Sequence, residues 1–132
     1  MPDGSGLIMK RFLPSKLSDE IEERVIVRMN RDGRMVDLLP GDEPIVLGKL
    51  RRILFEKDKL WYTCAFGGSE VALFGDGLPQ HGFPTVSPDE KQVAFMRFAE
   101  GHLPVLTVYD VANPKKPRPI EVPGMVTGPT WK

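Results

Sequence analysis

The chain has little of what metal centres and disulfide scaffolds need: in 132 residues there is one cysteine, Cys64, and two histidines, His81 and His102. A lone thiol makes no intramolecular disulfide, and a closed zinc site of Cys and His ligands lacks donors. Neither sign of charge dominates. Eighteen Lys and Arg stand against eighteen Asp and Glu, so no whole-molecule field draws the chain to nucleic acid or to an anionic membrane. Long apolar runs are missing as well. Gly6-Leu7-Ile8-Met9 is cut off by Lys10 and Arg11, too short for a signal-peptide core or a membrane span. A cytoplasmic chain without membrane insertion is therefore expected.

Motifs of catalysis are scarce too. No Gly-x-Ser-x-Gly elbow occurs, and Gly67-Gly68-Ser69-Glu70 lies between two strand-like runs, which is not the strand-to-helix setting a nucleophilic Ser69 requires. The phosphate-binding loop Gly-x-x-x-x-Gly-Lys is absent, and Gly75-Asp76-Gly77-Leu78-Pro79 lacks the third glycine of a dinucleotide fingerprint. No catalytic residue, enzyme activity or cofactor is expected. A metal would have to draw on Asp76, His81 and His102, one carboxylate and two imidazoles converging at a loop end; solvated loop residues are the alternative reading. Cys64, inside Trp61-Tyr62-Thr63-Cys64-Ala65-Phe66, reads as a buried small hydrophobe.

Thirteen prolines and thirteen glycines are abundant, and they punctuate short apolar segments instead of clustering. Residues 1–23 read as a separate leader, flexible at its start. Ser18-Asp19-Glu20-Ile21-Glu22-Glu23 either opens a short helix, with Ser18 as cap, or forms a solvated acidic turn. From 24 to 132 the pattern is that of an all-β domain. Arg24 to Met29 and Arg34 to Leu39 flank Asn30-Arg31-Asp32-Gly33, a hairpin signal because glycine accepts positive φ. Leu50 to Glu56, Leu60 to Phe66 and Ser69 to Phe74 form one meander. Gln92 to Phe98, Pro104 to Val111 and Ile120 to Val122 form a second in the same order.

Several strands are apolar front and back: Val93 and Phe95 alternate with Ala94, Met96 and Phe98. An antiparallel strand with one face in water alternates apolar with polar. Covered faces on both sides are expected here, as in sheets stacked between neighbours.

The runs also repeat. Gly82-Phe83-Pro84-Thr85-Val86 is echoed by Thr127-Gly128-Pro129-Thr130-Trp131 at a spacing of 45 positions, within the roughly 40 to 50 residues of a four-stranded propeller blade. Glu56 to Tyr62 echoes Asp89 to Phe95 at a shorter spacing. Val25 to Gly41 matches Val105 to Gly124, each a strand, a polar turn, a strand and a terminal Pro-Gly.

Phe83-Pro84-Thr85-Val86-Ser87-Pro88-Asp89-Glu90-Lys91-Gln92-Val93-Ala94-Phe95 resembles the Ser-Pro-Asp-Gly-Lys turn and following strand of TolB-type, WD-like β-propeller blades. Val108-Tyr109-Asp110-Val111 resembles the family's third strand. Glu90 stands where the family has glycine, and a left-handed conformation there costs a non-glycine residue about 1–2 kcal/mol. The resemblance is clear over 83–131, extends over 24–82 and does not reach 1–23. It implies about three antiparallel blades. Propellers close with typically about four to eight, so the chain is expected to be completed by other residues, by a partner or by self-association. A small independent sandwich or barrel is the structural alternative.

The function expected from this reading is a non-catalytic structural or protein-interaction module, an accessory or scaffold part of a larger assembly. Its partner is a protein or a second copy, not nucleic acid. Contacts are expected from Trp61, Tyr62, Arg97, Tyr109 and Trp131, since aromatic residues and arginine dominate binding energy, although such aromatics also suit a β core. The resemblance offers a second reading, the front of a propeller that gates substrate entry to a hydrolase; a third is a small-ligand or metal-binding β-domain. Arg51-Arg52 and Lys115-Lys116-Pro117-Arg118, with Glu56, Asp58 and Glu121 nearby, read as solvated faces.

Overall fold

A computed structural model describes residues 6–14, 22–75, 81–97, 103–120 and 131. Every regular element among them is a strand: β1 (Gly6–Pro14), β2 (Glu22–Asn30), β3 (Met35–Pro40), β4 (Asp42–Leu47), β5 (Arg52–Lys57), β6 (Leu60–Ala65), β7 (Ala72–Phe74), β8 (His81–Val86), β9 (Gln92–Arg97), β10 (Val105–Asp110) and β11 (Asn113–Ile120). They form three antiparallel meanders, ordered β1-β2-β3, β4-β5-β6-β7 and β11-β10-β9-β8. The all-β, blade-like architecture expected from the sequence is what the chain adopts.

The stretch read as a leader is the main departure. Residues 6–14 are the nine-residue strand β1, paired with β2 from Gly6↔Asn30 to Pro14↔Glu22. Lys10 and Arg11 interrupt its apolar residues and so hide the alternation. Glu22 and Glu23 belong to β2, while Ser18 to Ile21, where a helix could have opened, lie outside the described residues.

Proline explains the other differences. β4, β8 and most of β11 are strands beyond those the sequence pattern predicts, and Pro44, Pro84, Pro114, Pro117 and Pro119 fall within them. All three are edge strands, where a residue without an N–H costs no ladder bond. At Pro44 and Pro84 the pairing shifts register, between Asp42 and Ile45 and between Gly82 and Thr85.

The contacts divide the chain into two compact units, residues 1–58 with 62–72, and residues 59–61 with 73–132. The first is built on Ile26, Ile53, Phe55, Cys64 and Phe66, with Ile8, Leu38, Leu39, Val46 and Tyr62 packed around them. Gly41 passes so close that a Cβ there would lie 2.7 Å from Phe55 and 2.9 Å from Ile26, so the Pro40-Gly41 corner tolerates no side chain. The second unit centres on aromatic rings. Phe95 lies 5.3 Å from Trp61, 5.6 Å from Tyr109 and 6.1 Å from Phe74, within the spacing favoured by edge and offset ring contacts. Consecutive residues are buried in both units, Ile53 to Phe55 in β5 and Val93 to Met96 in β9. Both faces of these strands are therefore covered.

The turn before β9 is held by its own side chains. Ser87 Oγ donates to Asp89 at 2.7 Å, Asp89 accepts from the Lys91 N–H at 3.0 Å, and Ser87 Oγ accepts from the Gln92 N–H at 3.0 Å. Glu90 sits at φ 59°, the left-handed conformation that glycine takes at lower cost.

Candidate functional site

Register fixes what the first sheet shows on the side away from Ile26. Directly opposed residues in antiparallel strands share a face, so Leu7, Met29 and Met35 form one row across all three strands. Met9, Val27 and Asp37 form the next, and Arg11 and Val25 the third. Leu7 is 52% exposed and Met35 49%, and Met9 and Met29 are half-buried. Arg11 closes the apolar rows with a bidentate pair to Asp37, its Nη2 at 2.7 and 2.8 Å from the two carboxylate oxygens. The result is a methionine-rich patch bounded by one fixed ion pair. Methionine is unbranched and polarisable, and adapts to more than one opposing surface.

On the Ile26 side, charge ties three strands together. Lys10 of β1 binds Asp42 at 2.7 Å and Glu43 at 3.2 Å, and Arg24 of β2 also binds Asp42. Lys10 and Arg24 both lie over the Phe12 ring, at 4.9 and 5.8 Å. Burial alone would push the Asp42 carboxyl up. Hydrogen bonds from Lys10, the Glu43 N–H and Arg24 outweigh it and hold Asp42 below the usual carboxylate range. Nearby Glu56 has no such donors, so burial and then the charges of Asp42 and Glu43 raise it.

A groove of about 270 Å³ in the same unit is lined by Leu39, Pro40, Phe55, Lys57, Asp58, Tyr62 and Val71. Tyr62 stacks on Phe55 there with ring centroids 5.8 Å apart.

The residues singled out from sequence are scattered over these features. Trp61 and Tyr109 are buried in the aromatic centre; Tyr62 lines the groove; Arg97 ends β9, half-buried. Trp131 donates its indole N–H to the Thr85 carbonyl of β8 at 3.1 Å. Asp76 and His102 lie outside the described residues, and of His81 only the backbone, at the start of β8, is described. Among the described residues no three His, Cys, Asp or Glu side chains are grouped to hold a metal. The Cys64 thiol is fully buried and pushed above its ordinary pKa by that burial, against a smaller opposing effect of Arg52. Ser69 sits exposed in the β6–β7 turn.

Arginines read as solvated are in part engaged: Arg51 lies 5.3 Å from the Phe66 ring, and Arg52 bonds the Thr63 hydroxyl and the Glu70 carbonyl. The methionine row went unremarked in the sequence because Leu7 and Met9 fell in the supposed leader. Its available signal was the pair Met29 and Met35, placed symmetrically about the Asn30–Gly33 hairpin turn.

No family model and no curated protein matches the sequence. Among solved structures, the chain superposes on the crystal structure of TolB from Acinetobacter baumannii with a TM-score of 0.71 and 15% identity, over 89% of this chain. It spans 30% of the length of that TolB chain. The fold is that of a segment of a TolB-like β-propeller.

Proposed function

We propose that this chain is a non-catalytic protein-interaction module, an accessory or scaffold part of a larger assembly, which docks through the Leu7–Met29–Met35 row. The observation that carries the reading is the exposure of Leu7 and Met35 in register on one sheet face, rimmed by the Arg11–Asp37 pair. Contiguous apolar surface with a polar rim is the signature of a docking surface. Tyr62 in its groove offers a second anchor on the same unit; on the other unit Arg97 and Trp131 are proposed as separate contacts, with Trp61 and Tyr109 as its buried support. The Cys64 thiol, buried and raised, is the opposite of an activated nucleophile, which favours the non-catalytic reading.

A photo-reactive amino acid in place of Met35, expressed in the cell of origin, tests the proposal. Irradiation is expected to give a discrete protein adduct, and the same probe at exposed Lys115 is expected to give none. Equal, diffuse labelling at both positions would remove the docking face from consideration.

A further inference from the structure

We propose that the Ile26 side of the first sheet carries a binding site for a phosphate monoester, held between Arg28 and Arg34 beside the Ile8–Arg28–Val36 row. It goes beyond the docking face, which occupies the other side of the same sheet.

Register builds the site. Ile8 of β1, Arg28 of β2 and Val36 of β3 are directly opposed, and Arg28, two residues on from Ile26, shares the Ile26 side. Asn30 and Arg34 make the next row, where the Asn30 N–H donates to the Arg34 carbonyl at 2.9 Å. Arg34 stands two residues before Val36, so it falls on the same side as Arg28 and diagonal to it. Diagonal cross-strand neighbours lie within reach of long side chains. Val36 is 41% exposed and Arg34 is exposed as well, so the site opens to solvent along β3.

Among the described residues, the side chains of these two arginines have no partner. Others are engaged: Arg11, Arg24, Arg52 and Arg118 are each paired with a carboxylate, and Arg51 lies over the Phe66 ring. Arg28 is half-buried, and its Nε is fully buried without an acceptor. Arg11 Nε shares that condition, but Asp37 holds the Nη2 of Arg11. Buried donors in folded proteins are almost always met, so the Arg28 donor points to an acceptor that arrives with a ligand. Asp32, the acid nearest in sequence, is engaged in the hairpin turn, where it accepts the Arg34 main-chain N–H at 2.9 Å.

The ligand's chemistry follows from the charges to be met. Two guanidinium groups on neighbouring strands repel each other, and a single carboxylate is satisfied by one arginine, as Asp37 is by Arg11. A phosphate monoester carries a charge of about −1.5 to −2 at neutral pH and three strong acceptor oxygens, enough for both arginines and for the Asn30 carboxamide. Guanidinium meets phosphate through paired N–H···O bonds, a geometry an ammonium does not offer. Ile8 and Val36 supply an apolar margin for the carbon that bears the ester.

Amide NMR spectra of the full chain, titrated with phenyl phosphate and with N-acetyl phosphoserine amide, test the site. Saturable shifts are expected at the amides of Arg28, Arg34 and Val36. Acetate and dimethyl phosphate, the latter the monoanion that a nucleic-acid backbone presents, are expected to give none at the same concentrations. Arg28→Gln and Arg34→Gln are each expected to weaken binding by about tenfold or more, the effect of losing hydrogen bonds to a charged group. Lys115→Gln, in the other unit, is expected to leave it unchanged. Should Arg28→Gln not fold, Arg34→Gln, at an exposed turn position, decides. Tighter binding of the phosphoserine amide identifies a protein side chain as the source of the ester, and tighter binding of phenyl phosphate a small molecule; either supports the site. Absence of shifts at these three residues, an equal response to acetate or dimethyl phosphate, or affinity untouched by the arginine substitutions overturns it.

Discussion

Glu90 carries a cost that its neighbours offset. Its φ of 59° places a residue with a Cβ in the left-handed region, at a cost of about 1–2 kcal/mol. Ser87 and Asp89 hold the turn through three side-chain hydrogen bonds, and the Glu90 N–H donates to the Ser87 carbonyl at 2.8 Å. Glycine would remove the strain but lose more backbone entropy on folding, about 0.5–1 kcal/mol. Glu90→Gly is therefore expected to stabilise the chain by about 0.5–1 kcal/mol, read as a rise in denaturant midpoint at unchanged slope; an unchanged or lower midpoint would show that the glutamate makes a contact worth more than the strain. The need for this conformation was legible in the sequence, because Ser-Pro-Asp fixes the turn type whatever residue follows. The burial of Trp61 and Tyr109 matches the core reading that the sequence offers for aromatics on doubly apolar strands, beside the contact reading.

Strands with regular alternation or paired apolar faces were legible as elements, and those holding proline or adjacent charges were not. β1 hid behind Lys10 and Arg11, yet Lys10 is what ties it to Asp42 of β4, with Arg24 of β2 joining from the side. This cluster gives the elements a pH dependence with two opposed parts. Asp42 has a lowered pKa in the folded chain, so its stabilisation is present above the unfolded carboxylate range near about 4. That contribution is lost as pH falls through the lower folded value. Glu56 has a raised pKa, so the folded chain holds that proton more tightly and gains stability as pH falls through the raised folded value towards the ordinary carboxylate range. The expected curve rises on mild acidification and then collapses. Glu56→Gln is expected to raise stability at pH 7 and to abolish the mild-acid rise while leaving the collapse. Asp42→Asn is expected to lower stability at pH 7 and to flatten the collapse. Thermal melts of the three proteins across pH 3 to 8 check both, and a wild-type curve that only falls on acidification would remove Glu56 from the account.

For the whole molecule, the sequence was most informative about burial: front-and-back apolar strands imply covered faces, and Ile53 to Phe55 and Val93 to Met96 are buried consecutively. The face that carries the proposed contact was invisible, because cross-strand register, which brings Leu7, Met29 and Met35 into one row, is set by pairing and not by local pattern. The net charge of zero then bears on how association behaves. Apolar contact and main-chain pairing, unlike ion pairing between oppositely charged surfaces, are not weakened as salt screens charge. The fixed ion pair on the face among the described residues, Arg11–Asp37, is internal to a single chain. The affinity of the docking face for its partner is therefore expected to change less than about threefold between 50 and 500 mM sodium chloride, a range over which each phosphate contact of a nucleic-acid binder would cost nearly tenfold. Sedimentation equilibrium at the two salt concentrations measures it. Dissociation that steepens with salt would place charged residues, Lys115, Lys116 and Arg118 of β11 foremost, at the centre of the contact in place of the methionine row.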